Sequence, residues 1–138
     1  MKLMRGLAKI GLLMAVFCVG CAGNQQKTDA KANGTPQINF ETYEHNFGII
    51  AQGEKVSYTF KFRNIGDGAL QINDVTTSCG CTASKYSIEP VAPGESGTVE
   101  VIFDSYGREG KQLKSANVWT NCGEKPVKLQ IFAEIKIE

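Results

Sequence analysis

Five cysteines and one histidine are the side chains here that could do soft-metal, redox or nucleophilic work. Two of the cysteines lie one residue apart in "TTSCGCTASK", residues 76–85, with only Gly80 between Cys79 and Cys81. Soft thiolates favour Cu(I) or Zn(II). A structural zinc site takes four ligands, often spaced Cys-x2-4-Cys, whereas this chain has Cys-x-Cys and no second pair. No metal site and no cofactor are therefore expected. In an extended chain the two Cα atoms stand about 6.6 Å apart, near the upper limit for a disulfide. A bend at Gly80 would close that gap into a small, strained and easily reduced ring. The pair lacks the helix N-terminus that activates thiols in thioredoxin-like motifs. The preferred reading is structural: two small side chains at a tight strand end, where Gly80 lets backbone approach closely. A redox or local-disulfide role comes second and metal third. Nucleophilic catalysis needs a base and an oxyanion hole beside the nucleophile. The single base candidate, His45 in "YEHNFG", reads instead as a strand-end packing residue. No catalytic residue is assigned.

The first twenty residues do not belong to a folded domain. Lys2, Arg5 and Lys9 form a basic head, and "IGLLMAVFCVG" follows as an apolar run of signal-peptide length. The run stops at Gly20-Cys21, and "CVGC" resembles the lipobox of bacterial lipoproteins, although Cys18 stands where leucine is usual. The resemblance implies cleavage before Cys21 and lipidation of its thiol. Residues 1–20 are then a lipoprotein signal peptide, and the chain is held to a membrane through Cys21. Ala22 and Gly23 lack the aspartate that commonly retains lipoproteins at an inner membrane, which favours the outer membrane within the cell envelope. Cleavage removes three basic residues and leaves twelve against fourteen acidic ones, a charge of about −2. That is no footprint for nucleic acid. Residues 21–36 contain no large apolar side chain and read as a disordered tether.

From Ile38 onward the hydrophobic period is two. In "KVSYTFKFRN" Val56, Tyr58, Phe60 and Phe62 alternate with polar residues. "GTVEVIFD" and "PVKLQIFAEIKIE" repeat the pattern, and weaker strands fall near 38–44, 69–77, 83–88 and 113–120. The apolar phase slips between Ile72 and Val75, which predicts a bulge or bend at Asn73–Asp74. Gly-rich turns separate the runs. Seven short strands with no helical stripe predict one antiparallel β-sandwich over residues 37–138. With strands running alternately up and down, the connection carrying Cys79 and the one carrying Cys122 fall at opposite ends. Those ends are roughly 20 Å apart for strands of about six residues, out of disulfide or shared-ligand reach. On the water-facing phase, Ile102 lies between Glu100 and Asp104, and Phe132 between Gln130 and Glu134. Together they would make a small sticky patch. Trp119 fits core or surface.

"HNFGII", "FKFRNIGDGALQI", "SCGCT" and "PVAPGESGTVEVIFDS", in this order and spacing, resemble the bacterial domain of unknown function 1573. That family is similar to the immunoglobulin-like domains of the major sperm protein and hydin type. The resemblance spans residue 40 to about 137 and implies an immunoglobulin-like sandwich. It implies no activity for any residue. The expectation is a membrane-tethered, non-enzymatic envelope lipoprotein whose domain binds or scaffolds an envelope protein or glycan. The alternative is a thiol-dependent factor, redox or soft-metal, acting through Cys79 and Cys81.

Overall fold

The computed structural model describes residues 33–80 and 82–137, Ala83 by its backbone alone. Eight strands lie among them: β1 (Ile38–Phe40), β2 (Glu44–Ala51), β3 (Lys55–Asn64), β4 (Ile72–Thr77), β5 (Thr82–Tyr86), β6 (Ser96–Asp104), β7 (Gly110–Thr120) and β8 (Val127–Lys136). They form two four-stranded sheets, ordered β1-β3-β6-β5 and β2-β8-β7-β4. The buried side chains of both sheets join in one core, so the fold is the expected β-sandwich. Every neighbouring pair is antiparallel except β2 with β8, which is parallel.

The extra strand comes from residues beyond the one expected near 38–44. β1 ends at Phe40, and "EHNFGIIA" crosses to the other sheet as β2. Its alternation is broken by a bulge. Gly48 takes φ 73°, and the register against β8 shifts between Asn46 and Ile49. The Asn46 side-chain oxygen accepts the Gly48 N–H at 2.8 Å and holds the bend. Past the bulge Ile50 is buried and Ile49 faces water. The phase change expected at Asn73–Asp74 is present as a register shift between Ile72 and Asp74.

Strand alternation decides the core. Phe60 and Phe62 are fully buried while Lys61 between them is exposed. Val99, Val101 and Phe103 of β6 pack beside them, and Leu129, Ile131 and Ile135 of β8 form the facing layer. Gly97 is buried opposite Phe62, where a Cβ would sit on the ring. Asn64, at 0 % exposure, organises one end of the sandwich. Its amide donates to Gly68 O at 2.7 Å and Val91 O at 2.9 Å, and its oxygen accepts from Gly66 N at 3.0 Å.

That end also receives the incoming chain. Thr35 N donates to Asp67 Oδ1 at 2.7 Å, and Asp67 N donates back to Thr35 O at 3.1 Å. Gly34, Gly66 and Gly68 make the contact backbone to backbone, and a Cβ at any of them would collide with main chain across it. The expected tether runs to residue 36, but its last residues are docked here as a strap. The signal is the paired glycines of "NIGDGA" with Gly34, a tertiary contact that composition does not reveal.

Candidate functional site

The antiparallel order assigns the connections to two ends. The strap, residues 65–71, residues 87–95 and residues 121–126 share one end; residues 52–54, Ser78–Gly80 and residues 105–109 share the other. Cys122 and Cys79 are thus at opposite ends, as the sequence requires. Cys122 is a free thiol packed against the core.

Cys79 follows the last residue pair of β4. Ser78 N donates to Ser115 O at 2.9 Å, and Ser78 Oγ accepts from Ser115 N at 3.1 Å, which clamps the connection onto β7. Thr82 N donates to Cys79 O at 3.2 Å, and Thr77 Oγ1 lies 2.9 Å from Thr82 O. Cys79 is half-buried and disulfide-bonded, its sulfur 3.5 Å from Thr82 Oγ1. Cys122 being free, the partner of Cys79 is not a described residue. Cys81 and Cys21, both singled out by the sequence, lie outside the described residues. The expectation for Gly80 is corrected: a Cβ there meets no described atom within 4 Å, so close backbone approach is not its reason.

His45 is on β2, facing inward. Its ring stacks on Tyr58 of β3 with centroids 3.7 Å apart and 10° between planes, and Phe47 meets it edge-on at 4.7 Å. The stack joins the two sheets at their β2 side. Burial holds the imidazole below its ordinary pKa, favouring the neutral ring. β2 and β4 are opposite edges of one sheet, with β8 and β7 between them. Three inter-strand steps of about 4.8 Å separate His45 from the connection holding Cys79. Among the described residues the geometry makes no Cys–His pair. Among the described residues no group of three or more His, Cys, Asp or Glu could hold a metal.

The two apolar candidates part company. Ile102 is on β6, pointing away from the core between Ser57 and Ala83 of the flanking strands. Phe132 is on β8, on the outward side of the other sheet. They face opposite directions and share no patch. Phe132 instead meets Leu113 across the β7–β8 pair and Asn46 across the β2–β8 pair. Ile49 and Leu113 are 61 % and 53 % exposed. Ile49 and Phe132, but not Leu113, border a shallow recess of about 250 Å³ that Lys111 and Glu134 also line. Trp119 shares this outward phase of β7, and its Nε1 donates to Thr76 Oγ1 at 3.3 Å. Sequence reading missed Ile49 because the bulge reverses its phase. It missed Leu113 because the strand was taken to start there rather than at Gly110.

The model of the family described as "Protein of unknown function (DUF1573)" matches residues 38–135. No curated protein matches the sequence. Among solved structures, a protein of unknown function from Porphyromonas gingivalis W83 superposes with TM-score 0.64 at 18 % identity, over 79 % of this chain and 51 % of that one. The VesB protease of Vibrio cholerae gives TM-score 0.54 at 22 % identity, over 72 % and 32 %. The secreted serine protease VesC of the same organism gives 0.53 at 11 %, over 73 % and 23 %. This chain thus spans about half of the first protein and a third or less of the proteases, and the likeness is one of fold.

Proposed function

The chain belongs to the DUF1573 family, and on that footing we propose that it is a membrane-tethered, non-enzymatic envelope module whose sandwich binds or scaffolds other envelope components. One observation carries the binding role. Ile49, Leu113, Trp119 and Phe132 stand on the outward face of one sheet. Exposed aromatic and aliphatic side chains gathered on one face mark an interaction surface, here set among Glu44, Asp74, Lys111, Lys128, Glu134 and Lys136. The opposite outward face carries as many charges, with Lys55, Lys61 and Arg63 on β3, Lys85 on β5, and Glu100 and Asp104 on β6, but among the described residues it has no large apolar side chain exposed to a similar degree.

The tether rests on the basic head, the apolar run and Gly20-Cys21. From a lipidated Cys21 to the docked Gly34, the chain reaches at most about 45 Å. Because the strap enters beside residues 65–68, the ends carrying Cys79 and Tyr106 would face away from the membrane. Crosslinking of the tethered protein in its native envelope, followed by identification of the adducts, tests the binding role. Recovery of envelope components on the sheet carrying Trp119 supports it, and adducts scattered over both faces contradict it. The contrasting thiol-dependent reading requires Cys79 and Cys81 to cycle. Intact mass with and without reductant decides it: a reversible two-proton change coupled to loss of partner capture would favour that reading over ours.

A further inference from the structure

We infer that the recesses beside Phe132 bind a glycan through a pyranose ring, its C–H face against Phe132 and its hydroxyls between Glu134 and Lys111. The inference rests on reading this sheet face as the binding surface and names the chemical class that it takes. Phe132 stands on the outward phase of β8, half-buried, and lines two adjoining recesses of about 250 Å³ and about 340 Å³. Asn46 lines both as well. Ile49, Lys111, Gln112 and Glu134 border the first, and Glu44 borders the second. Sites for small molecules run to roughly 300–1,000 Å³, so each recess is of the size that takes one small ring. The bulge in β2 shapes the first of them. It shifts the register against β8 between Asn46 and Ile49 and turns Ile49 outward as one wall.

The polar groups around Phe132 are of both kinds, and the fold does not use them up. Lys111 and Glu134 lie directly opposite each other across the β7–β8 pair, where opposite charges commonly join. Among the described residues neither side chain has an ion-pair or hydrogen-bond partner. The Asn46 side chain is fixed by its oxygen, which accepts the Gly48 N–H at 2.8 Å, and its Nδ2 has no partner among the described residues. Gln112 is held by Nε2, which donates to Glu109 O at 2.8 Å. That set selects the ligand. An ammonium only donates and a carboxylate only accepts, whereas a hydroxyl does both. Neighbouring hydroxyls on one ring can accept from Lys111 and Asn46 while donating to Glu134, and bonds to charged groups are the strong ones. A pyranose with equatorial hydroxyls gathers its C–H groups on its two flat faces, and Phe132 offers the apolar surface for one of them. A polyanion would meet Glu44 and Glu134, and a lipid tail would leave Lys111 and Glu134 unpaired out of water. The other sheet offers no such site: Lys55 and Asp104 are closed at 3.2 Å, and no aromatic residue takes an outward position on β3 or β6.

The test titrates chitotriose and cellotriose, two soluble trisaccharides of equatorially substituted pyranoses, into the isotope-labelled chain from residue 21 carrying Cys21→Ser. Saturable amide shifts are expected at residues 44–49, 111–113 and 132–134, with a dissociation constant on the order of 1 mM for so shallow a site. Glu134→Gln keeps the shape and removes the charged acceptor. It is expected to weaken binding about 10-fold, as the loss of one charge-assisted hydrogen bond implies. Phe132→Ala should abolish binding while the amide spectrum of the β1-β3-β6-β5 sheet stays as in the parent. Where Phe132→Ala fails to fold, Glu134→Gln decides alone. Lys61→Ala, on the other sheet, should bind like the parent. No shift with either sugar overturns the inference. So do shifts that survive Glu134→Gln undiminished, or that fall on the other sheet. So does an equal response to free glycine, which would make Lys111 and Glu134 a zwitterion site. A chain that binds neither sugar yet forms adducts with an envelope protein from a photo-crosslinker at position 113 overturns the sugar site and leaves the binding face standing.

Discussion

Asn64 is the polar residue on which one end of the sandwich depends. It is wholly buried and satisfies the carbonyls of Gly68 and Val91 and the amide of Gly66, groups from two connections of the chain. Removing one partner of a buried hydrogen bond strands the other without solvent. Asn64→Ala should cost on the order of 3 kcal/mol, measured by denaturant unfolding; a loss under about 0.5 kcal/mol would mean the loop is held by packing alone. Glycine positions divide by what surrounds them. Gly97→Ala drives a methyl onto the Phe62 ring and should cost about 1–3 kcal/mol, the price of overpacking a core. Gly80→Ala meets open space and should change stability by under about 0.5 kcal/mol. His45 makes stability pH-dependent. Its folded pKa is depressed by burial, so below its ordinary value near 6.5 the unfolded chain binds a proton that the folded chain resists. Stability should be full above that value, fall as pH drops through it and level off below the folded pKa. His45→Phe keeps the aromatic stack and should flatten this part of the profile; an unchanged slope would assign the pH dependence elsewhere.

Strands with a clean alternation carry their own register. Phe60→Ala should destabilise by about 3–5 kcal/mol, while exposed Lys61→Ala should move stability by under about 0.5 kcal/mol. Comparable effects in chemical unfolding would reject the register of β3. β3, β6 and β8 were legible because each buries one phase against the facing sheet, so polar residues mark the other phase unmistakably. β2 was not legible, since Gly48 inserts a bulge after His45 and Phe47 and moves the buried position to Ile50. The strap was not legible either: Gly34, Thr35 and Pro36 have no large apolar side chain to bury, and the opposing backbone of Gly66–Gly68 with the Asp67 carboxylate holds them. At the candidate site, Phe132 could be read as outward from its own strand. Its companions Ile49, Leu113 and Trp119 depend on strand order, which places β7 and β2 on either side of β8. Period alone says that Ile102 and Phe132 both face water. It does not say that they face opposite ways.

The whole molecule has two ends and two outward faces, each with its own character. The strap and Asn64 tie the entering chain to one end, and the half-buried Cys79 lies at the other. The anchor should be separable from the domain. Cys21→Ser should release the protein from membrane fractions without altering its unfolding, because stable anchoring comes from a multiply acylated cysteine and not from the sandwich. Persistence of the mutant in the membrane fraction, with lipid still attached, would contradict the lipobox reading. The central claim is that the outward sheet face carrying Leu113, Trp119 and Phe132 is where this domain meets its partners. Site-specific photo-crosslinkers at Leu113 on that face, and at Thr59 on the opposite face, test it in the native envelope. The account predicts discrete adducts from position 113 and none from position 59. Adducts from position 59 alone, or equal diffuse labelling from both, would contradict it.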